Sequence, residues 1–303
     1  MKKKLTLMIL TVLAVLLVAC TQAEAPAPTS NETAEPATKA ELPVFKIGAI
    51  PDQNASKLNK RFDELAAYVS AETGLEVEYV PTVDYAALVT AFERGDVDLG
   101  WFGGLTGVQV RNAVPGAEAI AQRPRDEVFH SVFVAQKTLG LSTIEDVKGK
   151  TLTFGSESST SGHLMPRHFM MEAGIDPASE LNGTVNYSGS HDKTWKLVES
   201  GAFEVGALNE AVWEAAVEDG KVDLSKVDVF YTTPAYYDYN WTINNVDDKF
   251  GPEAKASVKA ALLSFGQANP EIMELFKDEK FIETNNANYD AIKGVAEALG
   301  ILN

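Results

Sequence analysis

The chain has 303 residues, 45% hydrophobic, 23% charged and 9% aromatic, an ordinary globular composition long enough for one large or two medium cores, which excludes disorder as its main state. Acidic residues outnumber basic ones by 43 to 26, for a formal net charge of −17, so the chain lacks the cationic footprint that nucleic acid or an anionic lipid surface requires. A single cysteine excludes an intrachain disulfide framework and any zinc or iron–sulfur site built on several thiolates; no metal and no cofactor is expected.

The N-terminus carries Lys2, Lys3 and Lys4, then an apolar run from Leu5 to Val18, then Cys20. A charged start before a short apolar stretch reads as an export signal rather than a membrane span. Leu17-Val18-Ala19-Cys20 looks like a bacterial lipobox, which predicts removal of residues 1–19 and lipid on Cys20; an unlipidated signal with a stray cysteine is the alternative. Residues 20–43 are rich in Ala, Pro, Glu, Thr and Ser. They hold too little bulky apolar surface to offset the entropy of ordering and read as a disordered tether. The expected location is therefore extracytoplasmic, in the periplasm or on the outer face of the cell membrane, held there only by the anchor.

From Val44 short apolar runs alternate with helical periodicity. Candidate strands are Phe45–Ile50, Leu75–Pro81, Asp98–Phe102, Glu118–Gln122, Ser131–Gln136, Thr151–Gly155, Thr184–Ser188, Val205–Asn209 and Val227–Thr232. Between the first two, Leu58, Phe62, Leu65 and Val69 fall on one face of a helix over 56–72, and Tyr85, Leu88, Val89 and Phe92 do the same in the next helix. Strands alternating with helices predict α/β architecture with largely parallel sheets, and nine strands over this length suggest two lobes with a ligand cleft between them. From Pro252 onward the pattern reads as helices only.

The first motif with chemistry in it is Gly155-Ser156-Glu157-Ser158-Ser159-Thr160-Ser161-Gly162, between the strand TLTFG and a helical run from His163. Hydroxyls at a helix start join the unpaired backbone N–H groups and the positive end of the helix dipole, and a tetrahedral oxyanion fits that set of donors. One of these hydroxyls could simply cap the helix; three in a row exceed what a cap requires. The neighbouring motifs contain few basic residues, so binding by neutral donors is expected rather than by an arginine clamp.

These segments also carry a family resemblance. Val83-Asp84-Tyr85-Ala86-Ala87, Asp96-Val97-Asp98-Leu99-Gly100-Trp101-Phe102-Gly103, Ser159 to Pro166, Gly189-Ser190-His191-Asp192, Ala207-Leu208-Asn209-Glu210 and Pro234 to Asp238 resemble the phosphate/phosphite/phosphonate-binding proteins of bacterial ABC importers. Within them, the chain is most similar to a branch described as selenate-binding proteins. The resemblance spans Val44 to Asn303 and implies a two-lobed periplasmic-binding-protein fold, type II-like, with residues 44–130 plus 238–303 in one lobe and 131–237 in the other. It further implies closure over a small oxyanion and delivery to a membrane permease. A monomer is expected, and a cleft shared by Tyr85 from one lobe and Ser159 from the other predicts hinging near Phe129–Val132 and Thr233–Asn240.

Carried over by position, Ser159, Thr160 and Ser161 would grip the oxyanion, Tyr85 would donate from the facing lobe, and His191, Glu210 and Asp238 would complete the shell. Phe129 and His130 stand where relatives tend to carry Tyr and Trp, so a hydroxyl is lost and His130 would replace it. The residues alone leave other readings open. Tyr85 could be core, His191 and Asp192 could be polar residues at a helix start, and Tyr236–Trp241 could be a pocket wall or an aromatic strand packed between lobes. Phosphonate, phosphite and phosphate are the expected ligands; selenate, another oxyanion or a small organic molecule are alternatives. An enzyme is the weakest reading: no closing glycine makes Gly155–Ser159 a nucleophile elbow, and no Walker, dinucleotide or HExxH motif occurs. His163 and His168 lie about 140° apart round a helix, which is unsuited to shared metal ligation.

Overall fold

The computed structural model describes residues 43–302. The export signal 1–19, Cys20 and all but the last residue of the tether 20–43 lie outside the described residues.

Each lobe is organised on one sheet. Strands β1 (Phe45–Ala49), β2 (Val77–Pro81), β3 (Leu99–Phe102), β4 (Glu118–Gln122), β10 (Asn240–Ile243) and β11 (Ile282–Glu283) form the first, in the order β11-β4-β10-β3-β1-β2. Strands β5 (Ser131–Gln136), β6 (Leu152–Phe154), β7 (Asn186–Tyr187), β8 (Val205–Asn209) and β9 (Val227–Thr232) form the second, in the order β7-β6-β8-β5-β9. All nine expected strands are present. The sheets are mixed, however, not largely parallel: β1 runs parallel to β2 and β3, whereas β10 is antiparallel to both β3 and β4, and β5 is antiparallel to β8 and β9. The reason is topological, since β5 and β10 are the first strands after the chain crosses between the sheets: β10 enters between β3 and β4, already in place, and β5 is later flanked by β8 and β9. The C-terminal part is not wholly helical either. Its strand β11 is two residues of edge pairing on β4, too short to show any alternation in sequence.

The helices follow their apolar stripes. In α1 (Ala55–Thr73) Leu58, Phe62, Leu65 and Val69 are all buried, Asn54 caps the start by accepting from the Ser56 N–H, and Gly74 ends it in the left-handed conformation. In α2 (Tyr85–Glu93) Asp84 accepts from the Ala87 N–H, which starts the helix at Tyr85. Helices α3 (Gly104–Ala113), α5 (His191–Glu199) and α6 (Glu210–Glu218) each begin within a few residues of the preceding strand, and α4 (Met165–Glu172) continues a helical turn at residues 160–164. One core joins the first sheet to its helices around Phe62, Trp101 and Trp241, and smaller apolar clusters fill both faces of the second sheet around Phe133 and Trp195. The two crossings run side by side, Phe129 and Tyr236 exchanging backbone hydrogen bonds at 2.9 and 3.0 Å.

Candidate functional site

Four helix starts converge between the lobes, those of the turn ahead of α4 and of α2, α3 and α5. On the second lobe, β6 ends at Phe154 and the chain turns through Ser156–Ser159 into one turn of π-helix, Thr160–Leu164, ahead of α4. The extra residue in that turn is the kind of local irregularity that recurs where backbone must present polar groups. Ser159 does the capping: its hydroxyl accepts from the Gly162 N–H at 2.9 Å. That leaves the next two hydroxyls for other work. Thr160 Oγ1 accepts from the Leu105 N–H of α3, in the opposite lobe, at 2.9 Å. Ser161 Oγ lies beside Asp238 and Tyr236, buried and without a hydrogen-bond partner. Gly162 is required by close approach, because a Cβ there would stand 3.0 Å from both Gly155 Cα and His191 Cε1.

The first lobe supplies the start of α3, where Gly103 and Gly104 follow β3. A Cβ on Gly103 would meet Thr160 Oγ1 at 3.0 Å and Asp238 Oδ1 at 3.2 Å, so glycine lets the helix start approach the hydroxyl turn. Gly104 N–H donates to Asp238 Oδ1 at 2.9 Å, while Asp238 Oδ2 is buried and unpartnered. Burial raises the Asp238 pKa to about 7; the Gly104 N–H and the nearby Thr160 and Ser161 hydroxyls oppose that rise, and Asp126 adds to it. The carboxyl therefore exchanges its proton near neutrality.

Tyr85 and His191 complete the cluster. Burial pushes the His191 pKa down to about 4, against the pull of Asp52 and Asp192, so the imidazole is neutral at pH 7. Asn209 N–H donates to its Nδ1 at 3.3 Å, which places the ring proton on Nε2, 3.4 Å from the Tyr85 hydroxyl. The Tyr85 hydroxyl, itself beside Ser159, is pushed well above the ordinary phenol value by burial, then by Asp52 and Asp238, and stays a donor. Tyr85, Ser159, Thr160, Ser161, His191 and Asp238 are each no more than 2% exposed. They present hydroxyls, an imidazole N–H and the Asp238 carboxyl, and none is a lysine or arginine.

His130 and Glu210 lie together at the crossing. His130 Nδ1 donates to the Thr233 carbonyl at 2.7 Å, and Glu210 Oε1 accepts from the His130 N–H at 3.3 Å with the Arg125 guanidinium 3.8 Å away. Burial raises the Glu210 pKa, opposed by His130 and Arg125. Glu210 reaches the rest of the cluster through Tyr236, whose hydroxyl shares a 2.6 Å hydrogen bond with Ser131 and feels the Glu210 charge.

Comparison with known proteins gives this arrangement its family. The sequence profile described as "ABC transporter, phosphonate, periplasmic substrate-binding protein" matches residues 47–289. The chain belongs to that family. It is 40% identical over 266 residues to a probable ABC transporter phosphite binding protein, PhnD1, of Prochlorococcus marinus, a match covering 84% of this chain and 90% of that protein. A phosphate-import protein, PhnD, of Mycolicibacterium smegmatis is 24% identical, with 84% and 85% covered. Among solved structures, PhnD1 from P. marinus in complex with methylphosphonate superimposes with a TM-score of 0.82 at 38% identity, covering 86% of this chain and 99% of that one. The aliphatic sulphonate binding protein SsuA of Escherichia coli shares the fold, with a TM-score of 0.58 at 16% identity over 85% and 86% of the two chains.

The chain is thus a substrate-binding component of the phosphonate importer type. Among the described residues, no helix is long and apolar enough to cross a membrane. Sequence reasoning passed over the α3 start and Asp52, and named Tyr236 and Tyr239 only within an aromatic run that could be pocket wall or packing. The α3 start was visible as paired glycines after a strand, the same strand–turn–helix pattern that exposed the serine cluster. Asp52 had no local signal: Tyr239 donates to Asp52 Oδ2 at 2.9 Å and accepts from Asn209 Nδ2 at 2.9 Å, a chain across the cleft that only folding assembles.

Proposed function

We propose that this protein is a lipid-anchored extracytoplasmic receptor that captures a small tetrahedral phosphorus oxyanion (phosphonate, phosphite or phosphate) between its lobes and passes it to the permease of an ABC importer. The observation that carries the reading is the pairing of two buried, unpartnered oxygens, Ser161 Oγ and Asp238 Oδ2, inside a cluster otherwise made of neutral donors. Thr160, Ser161, Tyr85 and His191 Nε2 would surround the anion. Asp238 would accept a proton carried by the ligand or donate its own, so that a single proton sits between the two. His130 and Glu210 would act from the crossing as the outer part of the shell.

The finer assignments follow from the same reading. Residues 44–130 and 238–303 form one lobe and 131–237 the other, closing about the paired crossings; Cys20 carries the lipid; the receptor works as a monomer and does no chemistry on its ligand. Against hydrolysis, Ser159 is engaged as a cap, and the His191 ring presents an N–H rather than a basic nitrogen to the cluster. The relatives that bind phosphite, phosphate and methylphosphonate support the choice of ligand class.

The test is a thermal-shift panel of methylphosphonate, phosphite, phosphate, sulfate and selenate on the soluble chain. A ligand at a hundred times its dissociation constant adds about 2.7 kcal/mol of stability, and at least one phosphorus anion is expected to do so. Selenate or sulfate binding tighter than every phosphorus anion would overturn the reading.

A further inference from the structure

Asp52, Asn209 and Tyr239, which adjoin His191, also line a cavity of about 280 Å³ between the lobes. Most of the charge around it is already matched. Arg123 donates to both carboxylate oxygens of Asp126 at 2.7 and 2.6 Å and to the Phe276 carbonyl at 2.6 Å. Lys57 pairs with Asp219 at 3.0 Å and Lys277 with Glu218 at 2.7 Å, and Glu274 is exposed at the rim.

Two groups remain. Asp52, 3% exposed, has one oxygen held by Tyr239 and the other, Oδ1, without a partner. Arg61, 5% exposed, donates to the Leu275 carbonyl and lies over the Phe276 ring, but its Nε is unpartnered. Burial lowers the Arg61 pKa only to about 10, so it is a cation at neutral pH. Asp52 is the strongest of the charges that hold the Arg61 pKa up, so the two offset each other in part, but each keeps an open buried hydrogen-bonding position that costs stability until something completes it. A group that offers a cationic donor to Asp52 and an anionic acceptor to Arg61 is the ammonium and carboxylate of an amino acid.

We infer that this cavity is a subsite for a zwitterionic amino-acid group carried on the substituent of a phosphonate ligand, with Asp52 taking the ammonium and Arg61 the carboxylate. The walls of the two sites meet at His191: its backbone N–H donates to the Asp52 carbonyl at 3.0 Å, and its ring Nδ1 accepts from the Asn209 N–H at 3.3 Å. The inference rests on the phosphonate reading above.

The test compares titration calorimetry of methylphosphonate, straight-chain alkylphosphonates, and phosphonates ending in an α-amino acid with the same chain lengths. For at least one chain length, wild-type protein binds the amino-acid form at least about tenfold more tightly than its alkyl counterpart, as two added charge-assisted hydrogen bonds imply. In Asp52→Asn, which keeps the side-chain shape, and in Arg61→Lys, that ratio falls to within about twofold of unity. A wild-type ratio near unity at every chain length, with methylphosphonate still bound, overturns the subsite and leaves the receptor reading intact. Failure of methylphosphonate and every other phosphorus anion to bind overturns the receptor reading instead. A melting shift produced by serine alone, additive with that of methylphosphonate, overturns the linkage by making the cavity an independent amino-acid site.

Discussion

At the scale of single residues, Asp238 is the most informative group. Its pKa is raised from 3.8 to about 7 by burial, so between those values the native chain holds a proton that the unfolded chain has released. Its contribution to stability is complete below about pH 4 and is lost as the pH rises through 7. Asp238→Asn is therefore expected to raise the melting temperature of the unliganded protein at about pH 8 and to change it little at pH 4, as calorimetry at both values would check. In the proposed receptor the same proton would set selectivity. A phosphate-type ligand, with a second pKa around 6, would share one proton with Asp238, whereas selenate would have to rely on the proton of Asp238 alone. Discrimination in favour of phosphorus anions should grow as the pH rises through about 6 and stay constant above it; Asp238→Asn should weaken them and relax the exclusion of selenate. Thr160→Ala with Ser161→Ala removes donors to a charged group, each worth roughly 1.5–3 kcal/mol. Affinity for the best phosphorus anion is expected to drop at least tenfold in calorimetric titration, and an unchanged isotherm would remove these hydroxyls from the site.

At the scale of elements, helix starts decide both geometry and closure. Asp84 sets where α2 begins and so where Tyr85 stands; Asp84→Ala should cost about 1 kcal/mol, a fall of roughly 2–4 °C in melting temperature for a chain of this size, with weaker ligand binding beside it. Helix α6 carries an acidic ladder toward the other lobe: Glu214 meets Arg125 at 2.9 Å, Glu218 meets Lys277 at 2.7 Å and Asp219 meets Lys57 at 3.0 Å. Exposed pairs are individually weak and salt-screened, but all three bridge the lobes. Ligand affinity is expected to fall with added sodium chloride, and Glu214→Gln with Glu218→Gln should flatten that dependence; an identical salt slope in wild type and variant would show that the ladder does not bias closure.

At the scale of the whole molecule, the two sheets are joined by two adjacent crossings bonded at Phe129 and Tyr236, and the site draws Tyr85 and Gly104 from one lobe, Thr160 and His191 from the other. Few backbone segments need to rotate for such a pair of lobes to hinge. Small-angle scattering is expected to give a smaller radius of gyration with saturating methylphosphonate than without it. Superimposable curves would count against hinge closure.

Periodicity and punctuation in the chain were enough to place strands β1 to β9, though not the four-residue β10, together with the buried stripe of α1 and the hydroxyl-rich start ahead of α4, because strand alternation, helical spacing and caps are local consequences of residue type. The two-residue strand β11 and the antiparallel entry of β10 were not legible, since pairing direction depends on where the chain returns after a crossing, which no local pattern encodes. The same division runs through the site. Ser159, Thr160 and Ser161 announce themselves by composition, but which of them caps and which is left unpartnered depends on the Leu105 amide and on Asp238, residues 55 and 77 positions away from Thr160 and Ser161 in opposite directions along the chain. Residue type made Asp238 a carboxylate and His191 an imidazole; burial between two lobes made the first a proton exchanger near neutrality and the second a neutral donor, because desolvation is a property of the assembled neighbourhood and not of the sequence around either residue.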